Sequence, residues 1–169
     1  MQNHFALFQL APQFQLDMAQ LDQAFREVQS RVHPDKFVAA SSAEQRVAMQ
    51  WATRANEAYQ TLKKPLKRAT YLCELQGVDL QAESNTAMPG AFLMQQMEWR
   101  EELDDARNNA AALDTLEHNV RQARNQQVQQ IAEQLALPDY LQAAQLIRQL
   151  MFLEKFAADI ANAQEIVAS

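Results

Sequence analysis

The stretch Leu16-Asp17-Met18-Ala19-Gln20-Leu21-Asp22-Gln23-Ala24-Phe25-Arg26-Glu27-Val28-Gln29-Ser30-Arg31-Val32-His33-Pro34-Asp35-Lys36-Phe37 contains one whole helix, from its cap to its stop, and the start of a stiff loop. Asp17 offers a side-chain acceptor to the first-turn amides, and Gln20 stands at the capping-box position. Leu16 and Leu21 have the spacing of a hydrophobic staple. Leu21, Phe25, Val28 and Val32 recur at helical spacing, and Pro34 disfavours helical geometry at His33, so the run ends there. After a loop over 33–40, Ser41 and Glu44 form a second capping box. Val47, Trp51, Ala55, Ala58 or Tyr59, and Leu62 then mark the inner face of a second helix. The pattern predicts a helical hairpin with a Pro-stiffened tip.

Working outward, a short helix is expected from Asn3 to about Gln9, before Pro12. Pro65 opens another, with Leu66, Ala69, Leu72 and Leu75 as its buried stripe and Gly77 as its C-terminal cap. A polar linker over 78–88 precedes three longer helical patterns at about 89–110, 113–136 and 139–166, the last capped by Asp139. Long helices with short connections form an antiparallel bundle. The expectation is an all-α chain: a small helical domain at 1–77, a linker at 78–88 and a three-helix bundle at 89–169.

Composition agrees. Two glycines in 169 residues leave no phosphate-binding loop and too few turns for an all-β fold. With 48% hydrophobic residues there is material for a core, yet no apolar run reaches membrane-spanning length. No basic and apolar leader pattern opens the sequence, and the one cysteine, Cys73, suits a reducing compartment, so a cytoplasmic protein is expected. Charge is uneven: residues 1–80 carry 9 basic and 8 acidic side chains (+1), residues 81–169 carry 6 and 13 (−7). That balance disfavours nucleic-acid binding. His4, His33 and His118 share no metal-ligand spacing with each other or with Cys73, and no nucleophile motif is present. No cofactor, metal or catalytic residue is expected. A helical enzyme using His33 and Asp35 as an acid–base pair is the alternative of a different class.

By itself His33-Pro34-Asp35 is a turn-former with a capping Asp. In its setting, Arg31-Val32-His33-Pro34-Asp35-Lys36-Phe37 resembles the signature of the J domain, the unit that activates DnaK-type ATPase chaperones. Phe5-Ala6-Leu7-Phe8-Gln9-Leu10, Asn56-Glu57-Ala58-Tyr59-Gln60-Thr61-Leu62, and Arg68-Ala69 with Tyr71 match in order and spacing. Val32 departs from the usual aromatic residue before the His, and Glu27 from a common second basic position. Beyond the J domain, Phe92-Leu93-Met94-Gln95-Gln96-Met97-Glu98-Trp99-Arg100-Glu101-Glu102-Leu103-Asp104 and Leu150-Met151-Phe152-Leu153-Glu154-Lys155 resemble the HscB family of iron–sulfur co-chaperones. The resemblance implies an L-shaped, monomeric, non-enzymatic protein. Its J domain would engage the chaperone HscA through His33, Pro34, Asp35, Arg26, Arg31 and Lys36, and its bundle would hold the scaffold protein IscU.

Helical geometry bears on the second half independently. At about 100° per residue, Phe92, Trp99, Leu103, Ala106 and Ala110 fall in one stripe, the expected core face. Leu93, Met94 and Met97 lie off it, beside Glu98, Glu101 and Asp105, which suggests a protein-binding face. In the last helix Leu146, Leu150, Leu153, Ala157 and Ile160 make the expected core stripe, and Phe152 projects from its margin toward that face.

Overall fold

The computed structural model describes residues 3–80 and 88–169. All regular structure among them is helical: α1 (His4–Leu7), α2 (Met18–Val32), a 3-10 turn (Pro34–Phe37), α3 (Ser42–Lys63), α4 (Pro65–Leu75), α5 (Gly90–Ala106), α6 (Ala110–Ala136) and α7 (Tyr140–Ala168). They form two compact units, Met1–Leu72 and Cys73–Ser169.

The helix starts follow the expected chemistry. Side-chain oxygens of Asn3, Asp17, Ser41 and Asp139 accept from the amides of Ala6, Ala19, Glu44 and Gln142. Gly77 closes α4 at φ +78°, with its N–H donating to Glu74 and the Val78 N–H to Cys73. One boundary differs from expectation. Helix α5 stops at Ala106, and Asn109 caps α6 by accepting from the Ala112 amide, so Ala110 is the exposed first residue of α6 rather than core. A short polar side chain ahead of an alanine run is the stronger local signal.

In the first unit Phe5, Leu21, Ala55, Ala58, Leu62 and Ala69 are fully buried. Phe25 stacks on Tyr59 at 4.2 Å, and the Tyr59 hydroxyl donates to Asp22 at 2.7 Å, which joins α2 to α3. Arg68 ties the unit's base together. Its Nε donates to the Phe14 carbonyl at 2.7 Å and its Nη1 to that of Leu62 at 2.8 Å, with the guanidinium 4.5 Å from the Phe14 ring centre. Toward the hairpin tip, Val47 and Trp51 are exposed (51% and 37%), contrary to their expected place in the core. The inner face of α3 narrows there to the small residues Ala48 and Ala55. Leu75, expected in the α4 stripe, is exposed near the helix end, and Arg68 and Cys73 are buried instead.

In the second unit α7 buries two adjoining stripes. Ile147, Leu150, Leu153, Phe156 and Ile160 are all within 2% of full burial, whereas Leu146 and Ala157, expected at the centre, lie at the edge. Steps of three residues from Ile147 to Phe156 carry the buried face around the helix. Trp99 of α5 lies parallel to Phe156 at 6.0 Å, while Gln127 of α6 donates to Leu146 O and to Gln149. The expected linker is partly structural: Leu80 is buried, and Arg148 donates from Nε to its carbonyl at 3.0 Å and from Nη2 toward that of Asp79 at 3.5 Å. Residues 81–87 of that linker lie outside the described residues.

Removing the Arg68 guanidinium strands two carbonyls and leaves a void. Arg68→Ala should cost about 2–4 kcal/mol in urea unfolding. Arg68→Lys should recover little, because one ammonium does not reproduce the planar fork.

Candidate functional site

The hairpin tip is built by its own backbone. His33 ends α2 and its Nδ1 accepts the Asp35 amide proton at 3.2 Å, while the Lys36 amide donates to the His33 carbonyl at 3.0 Å. From α3, Gln45 Nε2 donates to the Phe37 carbonyl at 2.9 Å and holds the far side of the turn. With Nδ1 occupied as an acceptor, the ring proton of His33 resides on Nε2. The Asp35 carboxylate lies 3.6 Å from the same Nδ1, a proximity rather than a hydrogen bond, and its side chain is 88% exposed. That arrangement shapes a turn and does not align an acid–base pair.

Arg26, Gln29 and Ser30 of α2 join His33, Asp35 and Lys36 around an open cleft of about 470 Å³. Lys36 Nζ stands 3.5 Å from Ser30 Oγ. The cleft thus gathers Arg26, His33, Asp35 and Lys36, and Pro34 is the first residue of the turn beneath it. Arg31 is not among the lining residues, since five residues of helix place it about 140° around α2 from Arg26. A second cleft, of about 310 Å³, is lined mainly by Val32, Phe37, Val47 and Trp51. The sequence signal for it was present in Val47 and Trp51, but helical spacing does not distinguish a core stripe from an exposed one.

The second unit presents a different surface. Leu93, Met94 and Met97 of α5 are 45%, 64% and 65% exposed, and Glu98, Glu101 and Asp105 are exposed along the same side. Asp105 stands at its margin, where it shares a cleft of about 350 Å³ with Glu102 and Leu116. Phe152 is half-buried. Its ring meets Phe92 edge-on at 5.6 Å, lies parallel to Phe156 at 5.7 Å, and has Arg100 Cζ 5.6 Å from its centre. It is therefore the exposed margin of an aromatic cluster. Phe92 is half-buried within the same cluster, so the fully covered core of α5 begins at Trp99.

No group of three or more potential metal ligands occurs among the described residues. No described helix is long and apolar enough to cross a membrane. Cys73 is buried, with Sγ 3.8 Å from the Tyr140 carbonyl, and burial pushes its thiol up to about 11.

Comparison with known proteins places these surfaces in a context. A family model described as the HscB C-terminal oligomerisation domain matches residues 88–161. The chain is 56% identical over 163 residues to a co-chaperone protein HscB homolog of Bordetella pertussis, covering 96% of both chains. Among solved structures, chaperone HscB from Vibrio cholerae is 39% identical with a TM-score of 0.86, covering 98% of this chain and 99% of that one. Human co-chaperone protein HscB is 26% identical with a TM-score of 0.90, covering 95% and 81%.

The buried thiol has a measurable consequence. A thiol-specific reagent at pH 8 should label Cys73 slowly in the folded protein and rapidly in denaturant. Because the folded protein keeps this proton to about pH 11 while the unfolded chain loses it near 9, stability should fall as pH rises through that window. The contribution is about 2–3 kcal/mol, measured as the difference between wild type and Cys73→Ala in denaturant titrations.

Proposed function

Since this chain belongs to the HscB family of co-chaperones, we propose that it stimulates the ATPase of the DnaK-type chaperone HscA and delivers the iron–sulfur scaffold IscU to it. It is a co-chaperone rather than an enzyme. The observation that carries the reading is the presence, in separate units of one polypeptide, of two surfaces with different chemistry. One is a turn of His33, Pro34 and Asp35 beside a cleft bearing Arg26 and Lys36. The other is an exposed Leu93–Met94–Met97 surface bordered by carboxylates.

The turn acts by differential contact. A co-chaperone accelerates hydrolysis by binding the chaperone's hydrolysis-competent conformation more tightly than the alternative. Exposed Arg26 and Lys36 steer an acidic partner, Asp35 offers a charged acceptor, and Pro34 restricts the backbone that presents them. Arg31 lies off the cleft and contributes, on this reading, to long-range attraction. On the other unit, Leu93 and Met97 anchor the scaffold with Met94 and Phe152, while Glu98, Glu101 and Asp105 set orientation. Two partners held by one chain turn client capture into an intramolecular event at raised effective concentration. One copy of the chain suffices for this, and a reducing cytoplasm suits the single thiol.

The decisive experiment is steady-state ATP hydrolysis by HscA with this protein, with and without IscU. His33→Gln and Asp35→Asn should each remove stimulation while leaving helical content and IscU binding intact. Full stimulation by either variant would remove the turn from the mechanism.

The anchor face predicts the reverse pattern. A Leu93→Ala/Met97→Ala variant should weaken IscU binding by at least about 2 kcal/mol, roughly thirtyfold in Kd by calorimetry. Its melting temperature should stay near wild type, because both side chains are already exposed. Leu103→Ala, a core truncation, should cost about 2–5 kcal/mol of stability. Stimulation of HscA by this protein alone should survive the anchor changes, and the additional stimulation by IscU should be lost.

A further inference from the structure

The Leu93–Met97 surface carries one cation whose placement differs from that of its acidic neighbours. Counting about 100° per residue along α5, Arg100 falls about 20° from Leu93 and 60° from Met97, on the side of Leu93 away from Met97. Its guanidinium carbon lies 5.6 Å from the centre of the Phe152 ring, which reaches across from α7. Asp104, one turn further along α5, is paired with Arg107 at 3.3 Å. Phe152 also meets the perpendicular ring of Phe92 and the parallel ring of Phe156. A guanidinium over an aromatic face is attracted by the ring quadrupole, and its planar shape leaves the in-plane N–H groups available at its rim.

We propose that Arg100 is a positioning and specificity residue of the scaffold face: it holds the Phe152 ring against α5 and offers its free N–H fork to a carboxylate of the scaffold protein. This rests on the reading of the Leu93–Met97 surface as the scaffold-binding face. Glu98, Glu101 and Asp105, on the Met94 side of the face, ask for cations on the partner, while Arg100, on the Phe152 side, asks for an acid. A partner must match both signs in the right order, so the pair sets register as well as attraction.

The test is calorimetric binding of purified IscU to this protein and its variants. Arg100→Ala should weaken binding roughly five- to twentyfold. Arg100→Lys should recover only part of this, since an ammonium loses the stacked fork. Arg100→Glu should be weaker than Arg100→Ala. General attraction between an acidic face and a basic partner would instead make it tighter, and that result would overturn the carboxylate contact. The losses from Arg100→Ala and Phe152→Ala should combine to less than their product in the double variant, and full additivity would overturn the positioning role. The Leu93→Ala/Met97→Ala variant separates the two levels. If it loses binding while Arg100→Ala binds like wild type, the role of Arg100 is refuted and the face stands. If neither loses binding, the face itself is wrong and the proposal falls with it.

Discussion

Arg68 puts a positive charge in a residue that is only 7% exposed, and burial lowers its pKa from the ordinary arginine value. Two carbonyls and one aromatic face offset that cost, and they come from two segments other than that of Arg68. Phe14 lies in the connection before α2, Leu62 near the end of α3, and Arg68 itself in α4. The three segments meet at one fork, whose planar geometry allows little tolerance in their separation. The α2–α3 hairpin is anchored at this base and braced midway by Phe25, Tyr59 and Asp22. Its tip can then be a small turn held by its own hydrogen bonds, with side chains open to solvent. Exposure of His33 and Asp35 is affordable because the rigidity comes from elsewhere.

Much of this was legible in the sequence, and the parts that were not share a cause. Capping residues act through bonds to amides two or three residues away, so Asp17, Ser41 and Asp139 could be read directly. Leu93, Met94 and Met97 were legible as exposed because an apolar residue opposite a well-filled stripe has nowhere else to point. Burial along a stripe, by contrast, depends on how far the neighbouring helix extends. Val47 and Trp51 continue the spacing of Ala55 and Leu62 without being covered. In α7 a straight stripe through Leu146 and Ala157 missed Ile147 and Phe156, because contacts with two helices turn the buried face as the helix advances. Arg68 stands in a legible motif, but no periodicity indicates that an arginine is buried to collect carbonyls from two other segments.

On the function proposed above, the two units divide physical tasks between them. The cleft beside the turn is polar and exposed, suited to fast, reversible encounters that depend on charge. The α5 surface combines flexible methionines with a rigid aromatic margin, so part of it can adapt to a partner and part cannot. Phe152 belongs to the rigid part, since Phe92 and Phe156 hold it before any partner arrives, and little ordering cost remains for that ring on binding.

Arg148 clasps the carbonyls of Leu80 and Asp79, which lie 68 and 69 residues earlier in the chain. A ribosome makes the acceptors long before the donor, so this clasp cannot close until α7 has been synthesised past residue 148. Every contact needed to set the Arg68 fork is available once residue 68 has been made. The order of synthesis therefore gives the first unit its complete set of anchoring groups while the segment leading into the second still has its carbonyls in water.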